Sequence, residues 1–426
     1  MKEEIKMEIQ VSAIGAIVGL VIAITLIFKK VPPVYSLMIG SLIGGLTGGI
    51  GLVDTVTLMI EGAQGMMTAI LRILAAGVLA GVLIETRAAE SIAQSIIAKI
   101  GRTRSLLALA ISTLMLTAVG VFVDIAVITV APIALIIARD AKISRPAILL
   151  AMIGGGKAGN VMSPNPNTIA VSEAFSQPLT SVMLAGVIPG ILSLVVTYYL
   201  SKRIAKISGT TDYNLDDLSG ESDELPGFIP AISGPIIAVI LLSLRPLFDI
   251  NVDPMVALPL GGIIGSFVMK KHKGILGQVE YGLSKMSNVA ILLIGTGTIA
   301  GIISNSTLGD LLTEGIANLG LPVYLLAPIS GILMSAATAS TTSGSIVASS
   351  VFSTTLLESG VGGLAGAAMI HAGATVLDHL PHGSFYHATG GSVSLGFKQR
   401  LRIIPYETLI GLTITIISVL MFGLFG

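Results

Sequence analysis

The stretch Gly154–Phe175 reads GGGKAGNVMSPNPNTIAVSEAF. Apolar runs flank it on both sides, yet it resists forming a plain helix. Three glycines lead to Lys157, and then Pro164 and Pro166 alternate with Asn165 and Asn167. Each proline removes a backbone donor and bars a regular helix at its position. Hydrocarbon cannot hydrate the groups so freed, so the segment must line a polar cavity or be wrapped in protein. A broken helix at membrane depth is the sequence pointer to a carrier's binding site.

Composition agrees. The 426 residues are 53% hydrophobic and 11% charged, less than half the ~25% charge of a soluble domain, and mean hydropathy is +0.92. Repeated apolar runs approach the ~20 residues that span a bilayer. The absence of cysteine excludes disulfides, thiolate metal sites and cysteine nucleophiles. No GxSxG or HExxH occurs, so neither an enzyme, a cofactor nor a bound metal is expected. GGGKAG does not satisfy GxxxxGK[ST], and no strand precedes it. Nothing in the charge balance, formally zero, invites nucleic acid.

Working outward, the expected class is an all-α polytopic membrane protein. The N-terminal half, 1–200, carries a hairpin at about 105–139 and the broken helix at about 146–175. The acidic stretch TTDYNLDDLSGESDE, 210–224, marks a cytoplasmic linker over 201–226. The C-terminal half, 227–426, carries a second hairpin at about 322–357 and a second broken helix at about 361–386. Asp54–Gln64 reads as a short polar segment, and a helix is expected at about 286–304. The halves repeat at an offset of about 220 residues: Ala80-Gly81 pairs with Ala300-Gly301, Ala151-Met152-Ile153 with Ala368-Met369-Ile370, and Pro164 with Pro381. With the N-terminus outside, the basic clusters at Lys29–Lys30, Arg139–Arg145, Lys202–Lys206, Lys270–Lys273 and Lys398–Arg402 fall in the cytoplasm. On that count the second copy runs with opposite orientation, giving inverted repeats around a midplane site. The bilayer is that of a prokaryotic cytoplasmic membrane. Arg72 and Lys157 are left within it.

Asp124, inside VFVDIAVITVAPIA, is costly in hydrocarbon unless paired or facing water. It reads as a proton or cation carrier at a hairpin tip, or as a helix-end acid satisfied by backbone donors. Lys157 can attract a carboxylate or pair with Asp124 or Asp378. Asn160, Ser163, Asn165, Asn167 and Thr168 bring amides and hydroxyls to the break, for a small polar solute or for the freed backbone itself. Ser340, Thr341, Thr342 and Ser343 are their counterpart at the second hairpin; packing through small residues competes there. His371, Asp378, His379, His382 and His387 cluster at the second break. HLPH lacks the i, i+4 spacing of HExxH, so proton handling fits better than metal. Glu173 is a second proton site or a helix end meeting water.

VFVDIAVITVAPIALIIA, SPNPNTIAVSEAF, ATASTTSGSIVASS and TVLDHLPHGSFYHATGGSVSLGF, in that order, resemble the gluconate permease family of the wider ion transporter superfamily. The resemblance covers nearly the whole chain. It implies inverted repeats, each with a re-entrant hairpin and a broken helix, and proton-coupled uptake of small hydroxylated carboxylates such as gluconate or a related sugar acid. Other members take D-serine or short hydroxy and keto acids. The family's hairpin acid falls on Asp124, and its proline-bracketed break on Ser163–Pro166. Its second hairpin falls on Ala339–Ser345, and its second break on Asp378–Phe385. Where gluconate carriers have Pro-Pro-His-Pro this chain has Ser163-Pro164-Asn165-Pro166, and where they have Asn-Asp after the histidine it has Pro381-His382. These differences make a short hydroxy acid as good an expectation as gluconate. The expected partners are a small organic anion, protons and lipid; a homodimer follows by analogy with the superfamily. The alternative is a sodium/proton antiporter of the same superfamily.

Overall fold

An α-helix closes its backbone hydrogen bonds within itself, which is what hydrocarbon demands. The computed structural model describes residues 10–101, 104–207, 224–248, 250, 252–318, 322–381 and 383–424. Among these, every regular element is helical, and the one extended pairing is an isolated bridge between Val11 and Ser306.

The first half comprises α1 (Ala13–Phe28), α2 (Pro33–Thr47), α3 (Leu52–Gly65), α4 (Met67–Glu85), α5 (Ala88–Ile100), α6 (Ser105–Ala118), α7 (Val123–Asp140), α8 (Arg145–Asn160), α9 (Pro166–Ala174), α10 (Leu179–Ala185) and α11 (Val187–Ile207). The second comprises α12 (Phe228–Phe248), α13 (Pro254–Val268), α14 (Ile275–Ser304), α15 (Leu308–Asn318), α16 (Leu326–Thr338), α17 (Thr341–Glu358), α18 (Gly363–Ala374), α19 (Ser384–Ser392), α20 (Phe397–Leu401) and α21 (Ile404–Val419), the last continued by a π-helical turn to Leu424. The acidic stretch 210–223 lies outside the described residues, as does His382.

The order of elements in α5–α9 recurs in α15–α19. In each, a short helix leads into a helical hairpin and then a broken helix. The first hairpin arms, α6 and α16, have 14 and 13 residues. At 1.5 Å per residue they reach about 20 Å, short of a ~30 Å hydrocarbon core. Each arm ends in a tight reversal. Gly120 takes φ +105 in the first, and Ala339 takes φ +47 in the second, the left-handed region an alanine adopts only under constraint. Extended Ser340 then caps α17, its Oγ accepting from the Ser343 N–H at 3.2 Å.

Small residues let the helices approach closely. A Cβ on Gly19 would stand 2.6 Å from the Gly40 carbonyl oxygen, joining α1 to α2; one on Gly234 would stand 2.8 Å from that of Gly261, joining α12 to α13. The short polar segment at 54–64 lies within helix α3. Gly62 brings it against Gly297 and Gly301 of α14, so the polar side chains are carried on a helix whose small face is packed. α14 also starts at Ile275, a full three turns before the expected 286. α4 and the stretches 179–207, 272–304 and 397–424 are long and apolar enough to cross a membrane. Ile188, Ile191, Val195 and Tyr199 on α11 and Leu409, Ile416 and Leu420 along α21 and its extension are exposed, the apolar faces a lipid-embedded protein turns outward.

The core lies around the two breaks. α8 is buried at every position from Pro146 to Asn160. It packs on α6, α7, α11 and α21, while α18 packs on α16, α17 and α21. The halves also cross over: hairpin helix α17 packs on α9, and α7 packs on α19.

Candidate functional site

The first break is built by its own side chains. Pro164 and Pro166 supply no N–H, and α8 ends at Asn160 while α9 begins at Pro166. Asn165 bridges the gap. Its Oδ1 accepts from the backbone N–H groups of Asn167 at 2.9 Å and Thr168 at 3.0 Å, capping α9, and its Nδ2 donates to the Asn160 carbonyl and side-chain oxygens, both at 2.7 Å. Asn167 Nδ2 donates weakly to Asn160 Oδ1 at 3.4 Å, and its buried Oδ1 takes no partner among the described residues.

The second break, between Ala374 and Ser384, meets the first through Lys157. The lysine is 1% exposed, and its Nζ donates to Asp378 Oδ1 at 2.5 Å and the Thr375 carbonyl at 2.6 Å. It also lies 3.1 Å from His379 Nδ1. An ammonium in this setting is retained only by such a set of acceptors. Asp378 Oδ2 accepts from Thr341 Oγ1 at 2.5 Å, which ties the second break to the second hairpin. His379 Nδ1 also lies 3.0 Å from Asp378 Oδ1, and its Nε2 lies 3.2 Å from Ile404 O and 3.1 Å from Thr408 Oγ1; the tautomer decides which of these bonds the ring donates.

Four helix N-termini face one cavity of about 130 Å³. Phe122, Val123 and Asp124 come from the start of α7, Asn167 from α9, Ser340, Thr341 and Thr342 from α17, and Ser384 and Phe385 from α19. Asn160, Ala339 and Asp378 complete the lining. Helix N-termini present unpaired N–H groups and the positive end of the helix dipole, a setting for anions. Asp124 is the exception in sign. Its Oδ1 accepts from the Ile125 N–H at 2.9 Å, and it forms no ion pair among the described residues.

The residues singled out from the sequence thus divide. Asn160, Asn167, Ser340, Thr341, Thr342, Asp124 and Asp378 line the cavity. Lys157 and His379 stand behind Asp378, out of the lining. Asn165 caps α9, Ser343 gives its backbone N–H to the Ser340 cap of α17, and Thr168 and Ser163 are buried at the break, Ser163 Oγ without a partner among the described residues. His371 is buried against Val161 and Ile414 away from this cavity, and His387 is exposed with Nε2 2.8 Å from Pro381 O.

Two charged groups escaped the sequence reading. Glu407 and Arg400 form a fully buried ion pair beside His379, with Glu407 Oε2 3.9 Å from His379 Nδ1 and 3.1 Å from Arg400 Nη2. The signal available was a glutamate in the first turn of an apolar helix, seven residues after an arginine. Arg72 of α4 pairs with both Glu173, at the end of α9, and Asp253, at the cap of α13. Glu173 is therefore paired rather than simply solvated.

Comparison with known proteins accords with this geometry. Residues 7–425 match the family model described as GntP family permease. The chain is 62% identical over 416 residues to a protein named uncharacterized transporter from Haemophilus influenzae, covering 97% of this chain and 99% of that one. It is 22% identical to the high-affinity gluconate transporter of Escherichia coli, over 96% and 97% of the two chains. It is 21% identical to the D-serine transporter DsdX of the same species, over 75% and 77%. The crystal structure of the Alcanivorax borkumensis YdaH transporter superposes with TM-score 0.63 at 14% identity, covering 88% of this chain and 89% of that one. With its all-helical fold and a family match spanning nearly its whole length, this chain is a membrane-embedded transporter and belongs to the GntP family of permeases.

Proposed function

We propose that the protein carries a small organic (hydroxy)carboxylate into the cell by symport with protons. The observation that carries this reading is the convergence of four helix N-termini, four hydroxyl side chains and Asp124, which has no ion-pair partner among the described residues, on one cavity. The N-termini and hydroxyls suit a carboxylate, and the Asn160 and Asn167 amides suit a hydroxyl on the same solute. Asp124 supplies the coupling. Ionised, it repels an anion in the same cavity; protonated, it becomes a donor to it. Anion and proton therefore favour each other's binding, and this reciprocity is the thermodynamic basis of symport.

In this assignment Asn160, Asn167, Ser340, Thr341 and Thr342 contact the solute, while Asn165 keeps the broken backbone in place, with Ser163 and Thr168 buried beside it and Ser343 joined to the α17 cap. Lys157 offsets charge through Asp378 instead of touching the solute. Asp124 is the first candidate for the coupling proton, with Asp378 and His379 behind it; His382, also a candidate from sequence, lies outside the described residues. The ~130 Å³ volume is close to the ~150 Å³ that holds a six-carbon ring. It favours a short hydroxy acid over an extended six-carbon sugar acid. Relatives named for gluconate and D-serine fit the same chemistry, a carboxylate beside a hydroxyl. The matching order of α5–α9 and α15–α19 supports two repeats, and the basic clusters support opposite orientations with the N-terminus outside the cytoplasmic membrane.

The test is uptake into liposomes of purified protein under an inward proton gradient, with labelled lactate, hydroxybutyrate, gluconate and D-serine as probes. Accumulation abolished by a protonophore, with the short acids as best competitors, is the expected result. Proton flux driven by sodium with no acid uptake would move the assignment to an antiporter.

A further inference from the structure

A second cavity, of about 380 Å³, lies apart from the first. Its walls are Pro146 at the start of α8, Ile204 and Ile207 at the end of α11, and Gln399, Arg402, Ile403 and Tyr406 at the junction of α20 and α21. The three isoleucines and the tyrosine ring make one side apolar. Arg402 and Gln399 are exposed at its rim. Exposed Lys202, Arg203 and Lys206 occupy the same last turns of α11 as the two isoleucines, and exposed Lys398 precedes Gln399. Among the described residues, no acidic side chain lines the cavity. The buried carboxylate nearest in sequence, Glu407, is committed to Arg400.

An apolar recess under a basic rim matches one class of molecule that a membrane protein always meets. We propose that this cavity binds an anionic phospholipid, with its phosphate at Arg402 and its upper acyl chain against Ile204, Ile207 and Tyr406. The lipid-facing side of α11 supports a ligand from the bilayer over a free anion. Ile188, Ile191, Val195 and Tyr199 are exposed along that helix, so acyl chains already lie against it. Lys202, whose Nζ stands 5.2 Å over the Tyr198 ring, marks where its apolar surface gives way to charge. Basic pockets between membrane helices at this level are the sites that retain anionic headgroups. The bound lipid would bridge α8, α11 and α21, three helices that pack on one another around the broken-helix core. This proposal stands independently of the transported solute.

The experiment uses full-length protein in detergent, stripped of lipid and titrated with phosphatidylglycerol, cardiolipin, phosphatidylcholine or inorganic phosphate. Native mass spectrometry reads retained lipid, and thermal unfolding reads stabilisation. Phosphatidylglycerol or cardiolipin should be retained and raise the unfolding midpoint, with phosphatidylcholine and inorganic phosphate giving neither effect. R402Q should weaken retention about fivefold, and R402Q with K206Q further, at about the value of one basic contact each. K29Q with K30Q, which neutralises an exposed pair elsewhere on the chain, should leave retention unchanged. Equal retention of phosphatidylcholine, stabilisation by phosphate alone, or equal losses in the Arg402 and Lys29 variants would each overturn the proposal. Because R402Q replaces an exposed residue, its unfolding midpoint without lipid should match the parent.

Discussion

Lys157 Nζ and Asp378 Oδ1, separated by 221 residues of sequence, meet at 2.5 Å where the two broken helices face each other. Both are buried, and the pair fixes one break relative to the other. Removing one member of a buried pair strands the other charge, at a cost of about 3–5 kcal/mol. K157M and D378N should each lower the unfolding midpoint sharply. The double variant should lose less than the sum, because no charge is left alone. Thermal unfolding of the three variants in one detergent checks this, and additive losses would remove the pair from the account.

Asp124 lines the cavity and forms no ion pair among the described residues. D124N keeps the shape and a permanent hydrogen-bond donor. It should keep binding solute, lose the dependence of uptake on external pH, and fail to accumulate solute under a proton gradient. Counterflow alongside gradient-driven uptake separates the two. An unchanged pH profile would return Asp124 to a structural role.

Asn165 and Asn167 are two residues apart and should fail differently. N165A removes the acceptor for two backbone N–H groups at the start of α9, a loss of about 1–2 kcal/mol for a cap. N167A removes a cavity-facing amide whose own bond is weak. It should leave the unfolding midpoint nearly in place and raise the concentration of solute needed for half-maximal uptake.

Gly155 faces α6 so closely that a Cβ would meet the Ala110 carbonyl. Backbone cannot step aside as a side-chain end can, so G155A should cost about 1–3 kcal/mol by overpacking. G65A, where a Cβ would meet nothing within 4 Å, is the control and should be neutral or slightly stabilising. Comparing their unfolding midpoints tests whether contact geometry at α6–α8 sets the cost.

Asp253 lies in the turn before α13, with Arg72 Nη2 2.5 Å from its Oδ2. Burial pushes its carboxyl up, but the Arg72 bonds and the Met255 N–H more than offset that, so it titrates below its ordinary 3.8. A carboxyl lowered on folding contributes stability that is present above the unfolded value and is lost as pH falls through the folded one. The tie between α4 and α13 should therefore hold at pH 5–7 and loosen only below about pH 4. D253N should remove that acid-limb dependence, read as the unfolding midpoint against pH.

Much of this arrangement was legible in sequence because its signals are covalent or electrostatic. Pro164 and Pro166 remove two backbone donors within three residues, around Asn165, and that doublet marks the break; a lone proline such as Pro132 sits inside α7 without ending it. Lys157 and Asp124 cannot lie in hydrocarbon without an acceptor or water, which drew attention to both and put Asp378 among the possible partners. The separation of roles among the asparagines was not legible. Asn165 and Asn167 have the same chemistry, and only the direction of the chain at the break decides that one caps α9 while the other faces the cavity. Arg400 was hidden within a basic cluster that marks a membrane boundary, and nothing local says that its guanidinium turns inward to Glu407. Nor could the packing of 54–64 be read locally, because Gly62 meets Gly297 and Gly301, more than 230 residues later.

The 221-residue gap between Lys157 and Asp378 has a consequence for how the protein is made. At about 5–20 residues per second, a ribosome takes roughly 10–45 s to travel from the lysine codon to its partner's. For that interval the first break carries an uncompensated ammonium, and α9 lacks the hairpin that later covers it. The first half must therefore wait near water or in the care of the insertion machinery. Final folding of the site belongs to about the last ninth of translation, once Asp378 of the 426 residues has been made, and chains truncated before that point should be prime targets for membrane proteases.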